Sequence, residues 1–111
     1  MKIKMTSAFR KDKKRCKKRH YDVDFLDKLI ASYAANRGFS KEDAEAYYDY
    51  PLSGIWKGHR SFHPYGHNDD WIVIYHIEGD TIVLDSTNDE SSIVLDRTGT
   101  HSDVYGSNTS I

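Results

Sequence analysis

The segment WIVIYHI, residues 71–77, constrains the fold most, because a strand of this sequence is apolar on both faces. Such a strand must be covered on both sides, which indicates the central strand of a sheet. WKGHRSF at 56–62 precedes it, and TIVLD at 81–85 follows after the turn sequence EGD. The pattern predicts three neighbouring strands, with 71–77 and 81–85 joined as an antiparallel hairpin.

The N-terminal part of the chain has the periodicity of a short strand followed by helices. KIKM at 2–5 alternates like a strand, and either Thr6 or Ser7 can cap a helix that runs to about His20. Asp22 caps a second, amphipathic helix that ends at the sequence NRG. The stretch SKEDAEAYYDYP then predicts a short acidic helix or turn.

These elements predict one α+β domain over residues 1–111, with an N-terminal strand, two helices and then an antiparallel sheet of three or four further strands. Its predicted parts are the strand and basic helix at 1–20, the amphipathic helix at 22–37, the sheet with the site at 51–106 and a tail at 107–111. Cys16 is the single cysteine, and the sequence shows neither a signal peptide nor a membrane-spanning run. We therefore expect a cytoplasmic protein.

The charges of the chain are strongly segregated. Residues 1–20 hold ten Lys or Arg against Asp12 alone, whereas residues 21–111 hold six against sixteen Asp or Glu. A concentrated positive surface on an otherwise acidic chain favours a polyanionic partner such as RNA. The alternative is a solvated helix face without a specific partner.

The stretch HRSFHPYGHNDDW contains His59, His63 and His67 at steps of four, which invites a metal-binding hypothesis. Pro64 and Gly66 interrupt any helix that would stack these side chains on one face. On a strand the three histidines would spread over more than about 20 Å. The pattern therefore argues against zinc binding by these three residues.

Three motifs in order, PLSGIWKGHRSFH, DWIVIYHI and RTGTHSDVYG, resemble the YafQ branch of the RelE superfamily of bacterial toxins. The resemblance covers residues 51–106 and implies a RelE-like fold. It also implies an endoribonuclease that cuts mRNA in the ribosomal A site without a cofactor or metal. The implied partners are a cognate antitoxin, which forms a hetero-oligomer with the toxin, and mRNA on the 30S ribosomal subunit.

The resemblance assigns catalytic roles to His63 and His101, which stand where the family carries catalytic histidines, and to Asp70, which precedes Trp71 as in the family's DW motif. The chemistry agrees with these residue types. Metal-free RNA cleavage needs a base for the 2′-OH, a cation for the charge that develops on the phosphorus, and an acid for the leaving 5′ oxygen. Histidine can fill either proton-transfer role near neutral pH.

Further residues are predicted to hold RNA or to assist. Lys57 and Arg60 are candidates for phosphate contacts, and Trp71 and Tyr105 for base stacking, although Trp71 is equally a core candidate. The helix residues expected to contact ribosomal RNA are Lys11, Lys14, Arg15 and Lys18. The accessory candidates are Tyr50, His67 and Arg97.

Tyr50 stands where close relatives often have a histidine, and its phenol is a poor acid or base at pH 7. His67, in a loop that is longer than usual, is a hypothetical replacement for that histidine.

A repeat complicates the topology, because TIVLDST at 81–87 recurs as SIVLDRT at 92–98. If both copies were successive antiparallel strands, the second would reverse the chain and carry His101 to the far end of the sheet. A catalytic His101 therefore requires that one copy is an excursion, or that STNDESS returns the chain.

Two other function classes stay open at this level. One is a non-catalytic protein on the same fold, either a ParE-like gyrase poison or a degraded toxin that only binds its antitoxin. The other is a general RNA-binding module, which explains the basic helix but leaves the histidines and aspartates unexplained.

Overall fold

The computed structural model describes residues 1–79 and 90–106. In chain order the elements are β1 (Lys2–Met5), α1 (Ser7–Lys18), α2 (Val23–Asn36), α3 (Lys41–Ala46), β2 (Tyr50–Pro51), a single 3-10 turn (Gly54–Trp56), β3 (Arg60–Phe62), β4 (Ile72–Glu78), β5 (Ser92–Gly99) and α4 (His101–Tyr105). The predicted α+β class and the predicted order of elements are confirmed.

The strands form one mixed sheet in the order β1-β5-β4-β3-β2. β1 pairs with β5 in parallel, and the remaining neighbours are antiparallel. The N-terminal strand therefore joins the sheet at its edge, beside the last strand of the chain. A parallel pairing of this kind needs a long connection, which the helices and the other strands supply.

The central position predicted for the apolar strand is confirmed, because β4 lies in the middle of the sheet and both of its faces are covered. On one face, Trp71, Val73 and Tyr75 join the main core with residues of α1 and α2. On the other face, Ile72 and Ile74 pack against Val104 of α4. Within the described residues, every helix is too short or too polar to cross a membrane.

The helix caps follow the sequence with one exception. The Thr6 hydroxyl accepts a hydrogen bond from the backbone N–H of Phe9, so Thr6 is the N-cap of α1, and Asp22 caps α2 in the same way. At the end of α2, within the predicted sequence NRG, the left-handed residue precedes the glycine by one position. Arg37 already has the left-handed conformation, with φ of 56°. Its own N–H and that of Gly38 both donate to the Tyr33 carbonyl.

The strand predicted at 56–62 is shorter than expected. It begins at Arg60, because the Gly54–Trp56 turn and Gly58, with φ of 91°, keep the preceding chain out of the sheet. Lys57, which the predicted strand included, therefore lies before β3 and not on the same strand as Arg60, and His63 lies directly after β3.

The second copy of the repeat, in β5, pairs directly with β4, and Gly99 lies opposite Ile72. The segment 81–85, for which a hairpin with 71–77 was predicted, lies outside the described residues. The β4–β5 register brings the end of β5 to the start of β4, so His101 does not end at the far side of the sheet. The topological condition for a catalytic His101 is met.

Candidate active site

The three predicted catalytic residues come from three neighbouring strands. His63 follows β3, Asp70 precedes β4 by two residues, and His101 begins α4 two residues after β5. Adjacent strands run in opposite directions. The end of β3, the start of β4 and the end of β5 therefore lie side by side, at the same end of the sheet. The structure thus brings together residues that are far apart in sequence.

His63 is nearly buried, with 4% of its surface exposed. Its backbone N–H donates to the Tyr47 carbonyl at 2.7 Å, and its Nδ1 lies 2.9 Å from the Asp69 carbonyl oxygen. A carbonyl oxygen can only accept, so this bond assigns the proton to Nδ1 and leaves the lone pair on Nε2. Burial also lowers the pKa of His63 below its ordinary value. The ring is therefore neutral and basic at Nε2 near pH 7.

His101 is paired with Asp70 through two contacts. Its Nδ1 bonds the Asp70 carboxylate, and its backbone N–H donates to the same oxygen at 3.2 Å. The hydrogen bond from the His101 side chain lowers the pKa of Asp70, which therefore stays ionised at neutral pH. Because the Asp70 carboxylate holds Nδ1, the other ring nitrogen of His101, Nε2, is directed away from the carboxylate.

Helix α4 holds His101 in place. The Thr100 side chain accepts from the Asp103 backbone N–H, and the Asp103 carboxylate accepts from the Thr100 backbone N–H, which forms a complete capping box. Asp103 also accepts from Arg19, the C-cap of α1, at 2.6 Å. Burial raises the pKa of Asp103, but its hydrogen bonds with Thr100 and Arg19 outweigh that effect and leave the pKa lowered. The first turn of α4 is thereby fixed to the body of the domain.

The rings of His63 and His101 have centroids 5.8 Å apart. Two imidazoles this close can face the same substrate group, which is what acid and base chemistry in one step requires. His67, the accessory candidate, is exposed, and its ring centroid lies 6.4 Å from that of His63. The three histidines at steps of four therefore do not lie together. His63 and His67 lie at this site, whereas His59 contacts His76, with ring centroids 4.8 Å apart.

Tyr48 is a residue of this site that sequence reasoning missed. Its ring lies 4.0 Å from His67, 4.8 Å from Tyr50 and 5.5 Å from His63, measured between centroids, and it is 40% exposed. Its backbone has φ of 52°, a left-handed conformation that residues other than glycine rarely adopt. The sequence signal was the run YYDY before Pro51.

The base-stacking role predicted for Trp71 is wrong, because its side chain is 0% exposed. Tyr21 stacks on the indole with centroids 4.9 Å apart, and Trp71 Nε1 donates to the Thr98 hydroxyl at 2.9 Å. Both the face and the polar edge of the ring are already used within the core, so the core interpretation of Trp71 is the correct one.

Several predicted cations are committed to carboxylates inside the protein. Arg60 donates to Asp49, with Nη2 3.2 Å from Oδ2. Arg97 donates to Asp12, with Nε 2.6 Å from Oδ2, and Arg15 contacts the same carboxylate at 3.0 Å. These pairs are part of the domain structure, and an RNA contact would have to compete with them.

The predicted lysines, by contrast, are exposed. Lys57 is exposed after the 3-10 turn, and Lys11, Lys14 and Lys18 are exposed on α1. The three α1 residues follow i, i+3, i+7 spacing and therefore share one face of the helix.

Tyr50 and Tyr105 border a groove of about 500 Å³ next to the site, together with Trp56. Tyr105 is partly buried there, and burial raises the pKa of its phenol. The Tyr105 phenol is therefore neutral near pH 7, so it can stack or hydrogen-bond but does not act as a charged group.

Comparison with known proteins agrees with this geometry. Residues 1–106 match the model of a family described as bacterial toxin of type II toxin-antitoxin system, YafQ. The mRNA interferase toxin YafQ of Escherichia coli K12 is 31% identical over 104 residues, which cover 94% of this chain and 95% of that protein. Two solved structures share the fold across 94% of this chain and 97% of theirs: YafQ from E. coli BL21(DE3), with TM-score 0.68 and 30% identity, and an E. coli DinJ-YafQ complex, with TM-score 0.67 and 32% identity.

The fold and the site first define a class, the small α+β toxins of type II toxin-antitoxin systems. Within that class the chain belongs to the YafQ family, which matches almost its whole length. The predicted family, fold class and enzyme class are confirmed.

Proposed function

We propose that this chain is a ribosome-dependent endoribonuclease that cleaves mRNA in the A site and is silenced by an antitoxin. The proposal rests on one observation: His63, Asp70 and His101 lie together at one end of the central strands, with ring centroids of the two histidines 5.8 Å apart. The name of the E. coli relative, mRNA interferase toxin, supports the substrate.

In the proposed reaction, His63 Nε2 removes the proton from the 2′-OH of the nucleotide before the scissile bond. The 2′ oxygen then attacks phosphorus, and the bond from phosphorus to the 5′ oxygen breaks. Protonated His101 gives its proton to that 5′ oxygen, so the products are a 2′,3′-cyclic phosphate and a 5′-hydroxyl. The lowered pKa of His63 suits the base, and the Asp70 partner suits the acid.

The converged site also bears on the alternatives. A gyrase poison, or a degraded toxin that only binds its antitoxin, does not require two histidines that are each fixed by a hydrogen bond at the same site. The direct pairing of β5 with β4 supports the nuclease, since it keeps His101 beside Asp70. An antitoxin partner is supported by the DinJ-YafQ complex of E. coli.

The proposal is tested by incubating the full chain with ribosomes programmed with a defined mRNA and mapping the RNA ends. We expect cleavage within the A-site codon, and no cleavage of the same mRNA without ribosomes. Absence of A-site cleavage by the wild-type chain overturns the proposal.

The basic face of α1 predicts salt-dependent binding to ribosomal RNA. Replacing Lys11, Lys14 and Lys18 together by Gln removes three phosphate contacts, so the slope of log K against log salt concentration should become shallower by about 2 to 3. Affinity is measured on isolated 30S subunits over a salt series. A double variant at Lys28 and Lys41, two exposed lysines outside α1, serves as the control and should keep the wild-type slope. An unchanged slope in the triple variant contradicts the role of this face.

Tyr48 is expected to stack on a base of the substrate. Base stacking on an aromatic ring contributes about 1 to 3 kcal/mol, so Tyr48→Ala should raise the KM for programmed ribosomes about tenfold or more, with a smaller effect on kcat. Tyr48→Phe keeps the ring and should behave as wild type. Equal losses in the Ala and Phe variants point to the hydroxyl instead and contradict stacking.

A further inference from the structure

A second cluster of chemically reactive side chains lies on the sheet near the opposite end of β4 from the active site. The Asp96 carboxylate oxygen Oδ2 is 2.7 Å from His76 Nδ1 and 3.6 Å from His59 Nε2. Within the described residues, these three side chains form the one group of three or more potential metal ligands whose ligand atoms all lie within 4.8 Å of one another. The proposed ribonuclease does not use any of them.

The fold assembles this cluster through an irregularity in the sheet. Ile74 pairs with Arg97 and Tyr75 pairs with Leu95, so Asp96 is an extra residue in β5 without a cross-strand partner. A bulge of this kind redirects the side chain of the extra residue. The Asp96 carboxylate thereby contacts His76 on β4 and approaches His59, which lies just before β3.

The ring of His59 is poorly satisfied by the protein alone. Its Nδ1 is buried and has no hydrogen-bond partner within the described residues, and its Nε2 is too far from Asp96 for a good hydrogen bond. Buried polar groups without partners are uncommon in folded proteins. His59 Nε2 and the Asp96 carboxylate oxygen face each other at 3.6 Å, a separation that a shared metal ion can bridge.

We propose that His59, His76 and Asp96 form a binding site for a divalent transition-metal ion of the Zn²⁺ class. Imidazole and carboxylate ligands suit Zn²⁺, and bonds of about 2.0 to 2.2 Å in a tetrahedron separate the ligand atoms by about 3.3 Å. The two distances from Asp96 Oδ2, 2.7 and 3.6 Å, bracket that separation. Three protein ligands leave the fourth position for water or an external group.

The surroundings of His76 fit a metal ligand. With Nδ1 directed at Asp96, its other ring nitrogen, Nε2, lies 3.6 Å from the Glu78 carboxylate. A carboxylate beside the second ring nitrogen is the usual means of orienting a metal-binding histidine. Because the ligands come from β4, β5 and the residue before β3, a bound ion would connect three adjacent segments and stabilise the domain by mass action. This inference does not depend on the proposed ribonuclease.

The site is tested on the full, tag-free chain by titration with Co²⁺, followed by visible absorption, and with Zn²⁺, followed by calorimetry. We expect one ion per chain with the absorption of tetrahedral Co²⁺, and at least tenfold weaker binding of both ions in His76→Gln and in Asp96→Asn. Zn²⁺ should raise the thermal midpoint of the wild type and leave that of His76→Gln unchanged. His20→Gln, which alters an exposed histidine elsewhere, should bind as wild type.

Two results overturn the proposal. The first is that the wild-type chain binds neither Co²⁺ nor Zn²⁺. The second is that His63→Gln abolishes binding while His76→Gln and Asp96→Asn retain it, which places the ion at the ribonuclease site. Circular dichroism of each variant confirms that it is folded, so a loss of binding is not mistaken for a loss of structure.

Discussion

Replacing His101 by Ala should lower the rate of A-site cleavage by about 10² to 10⁴-fold, the usual contribution of a positioned proton-transfer group. The His101 side chain is 48% exposed, and its main contact is Asp70, which is itself exposed. Little packing is lost in the variant, so stability and ribosome binding should stay near wild type. Single-turnover cleavage on programmed ribosomes measures the effect directly.

The His63→Ala variant gives a sharper test of the shared mechanism. If the two histidines act as base and acid in one concerted step, each single variant removes most of the catalysis, and the double variant should be only slightly slower than either. His20→Ala, at an exposed histidine outside the site, is the control and should cleave at the wild-type rate. Cleavage by His101→Ala within a few-fold of wild type would remove His101 from the chemistry.

Replacing Asp12 by Ala should cost about 3 kcal/mol of the free energy of unfolding, because it leaves buried donors without an acceptor. Asp12 is 3% exposed and accepts from Arg15, from two nitrogens of Arg97 and from the backbone N–H of Thr98. These bonds join α1 to the end of β5. Against a typical domain stability of about 5 to 15 kcal/mol, the loss is large.

Urea unfolding followed by circular dichroism measures this cost through the midpoint, with the slope m expected to stay constant. Asp24→Ala is the matched control: this exposed aspartate lies in the first turn of α2, and its loss should cost less than about 1 kcal/mol. A similar cost in the two variants would mean that the Asp12 network does not hold α1 against the sheet. Because α4 follows β5 directly, Asp12→Ala should also lower cleavage by loosening His101.

Local patterns were enough to predict most elements of this fold. Thr6 and Asp22 cap helices because a short polar side chain can accept a hydrogen bond from the helix start wherever it precedes a periodic apolar face. The doubly apolar segment at 71–77 could only be a covered central strand. Such signals depend on neighbours within a few residues, so the sequence carries them directly.

Burial and pairing could not be predicted in the same way. Trp71 was placed both in the core and on the RNA surface, and only the packed Tyr21 ring and the Thr98 hydroxyl decide for the core. Arg60 was a candidate for phosphate contacts and Arg97 an accessory candidate, whereas their partners Asp49 and Asp12 lie 11 and 85 residues away in sequence. Which cation meets which carboxylate depends on how the helices pack on the sheet.

By itself, the sequence determined the α+β class, the family and the choice of His63, Asp70 and His101 as candidate catalytic residues, because motifs and periodicity are local. The tertiary structure alone decided that β5 pairs directly with β4, which brings His101 to Asp70, and that Asp96, in a bulge, meets His59 and His76. The physical reason is that strand pairing and register are set by long-range hydrogen bonds and by the packing of both sheet faces, and a repeated segment such as IVLD fits more than one pairing until those contacts form.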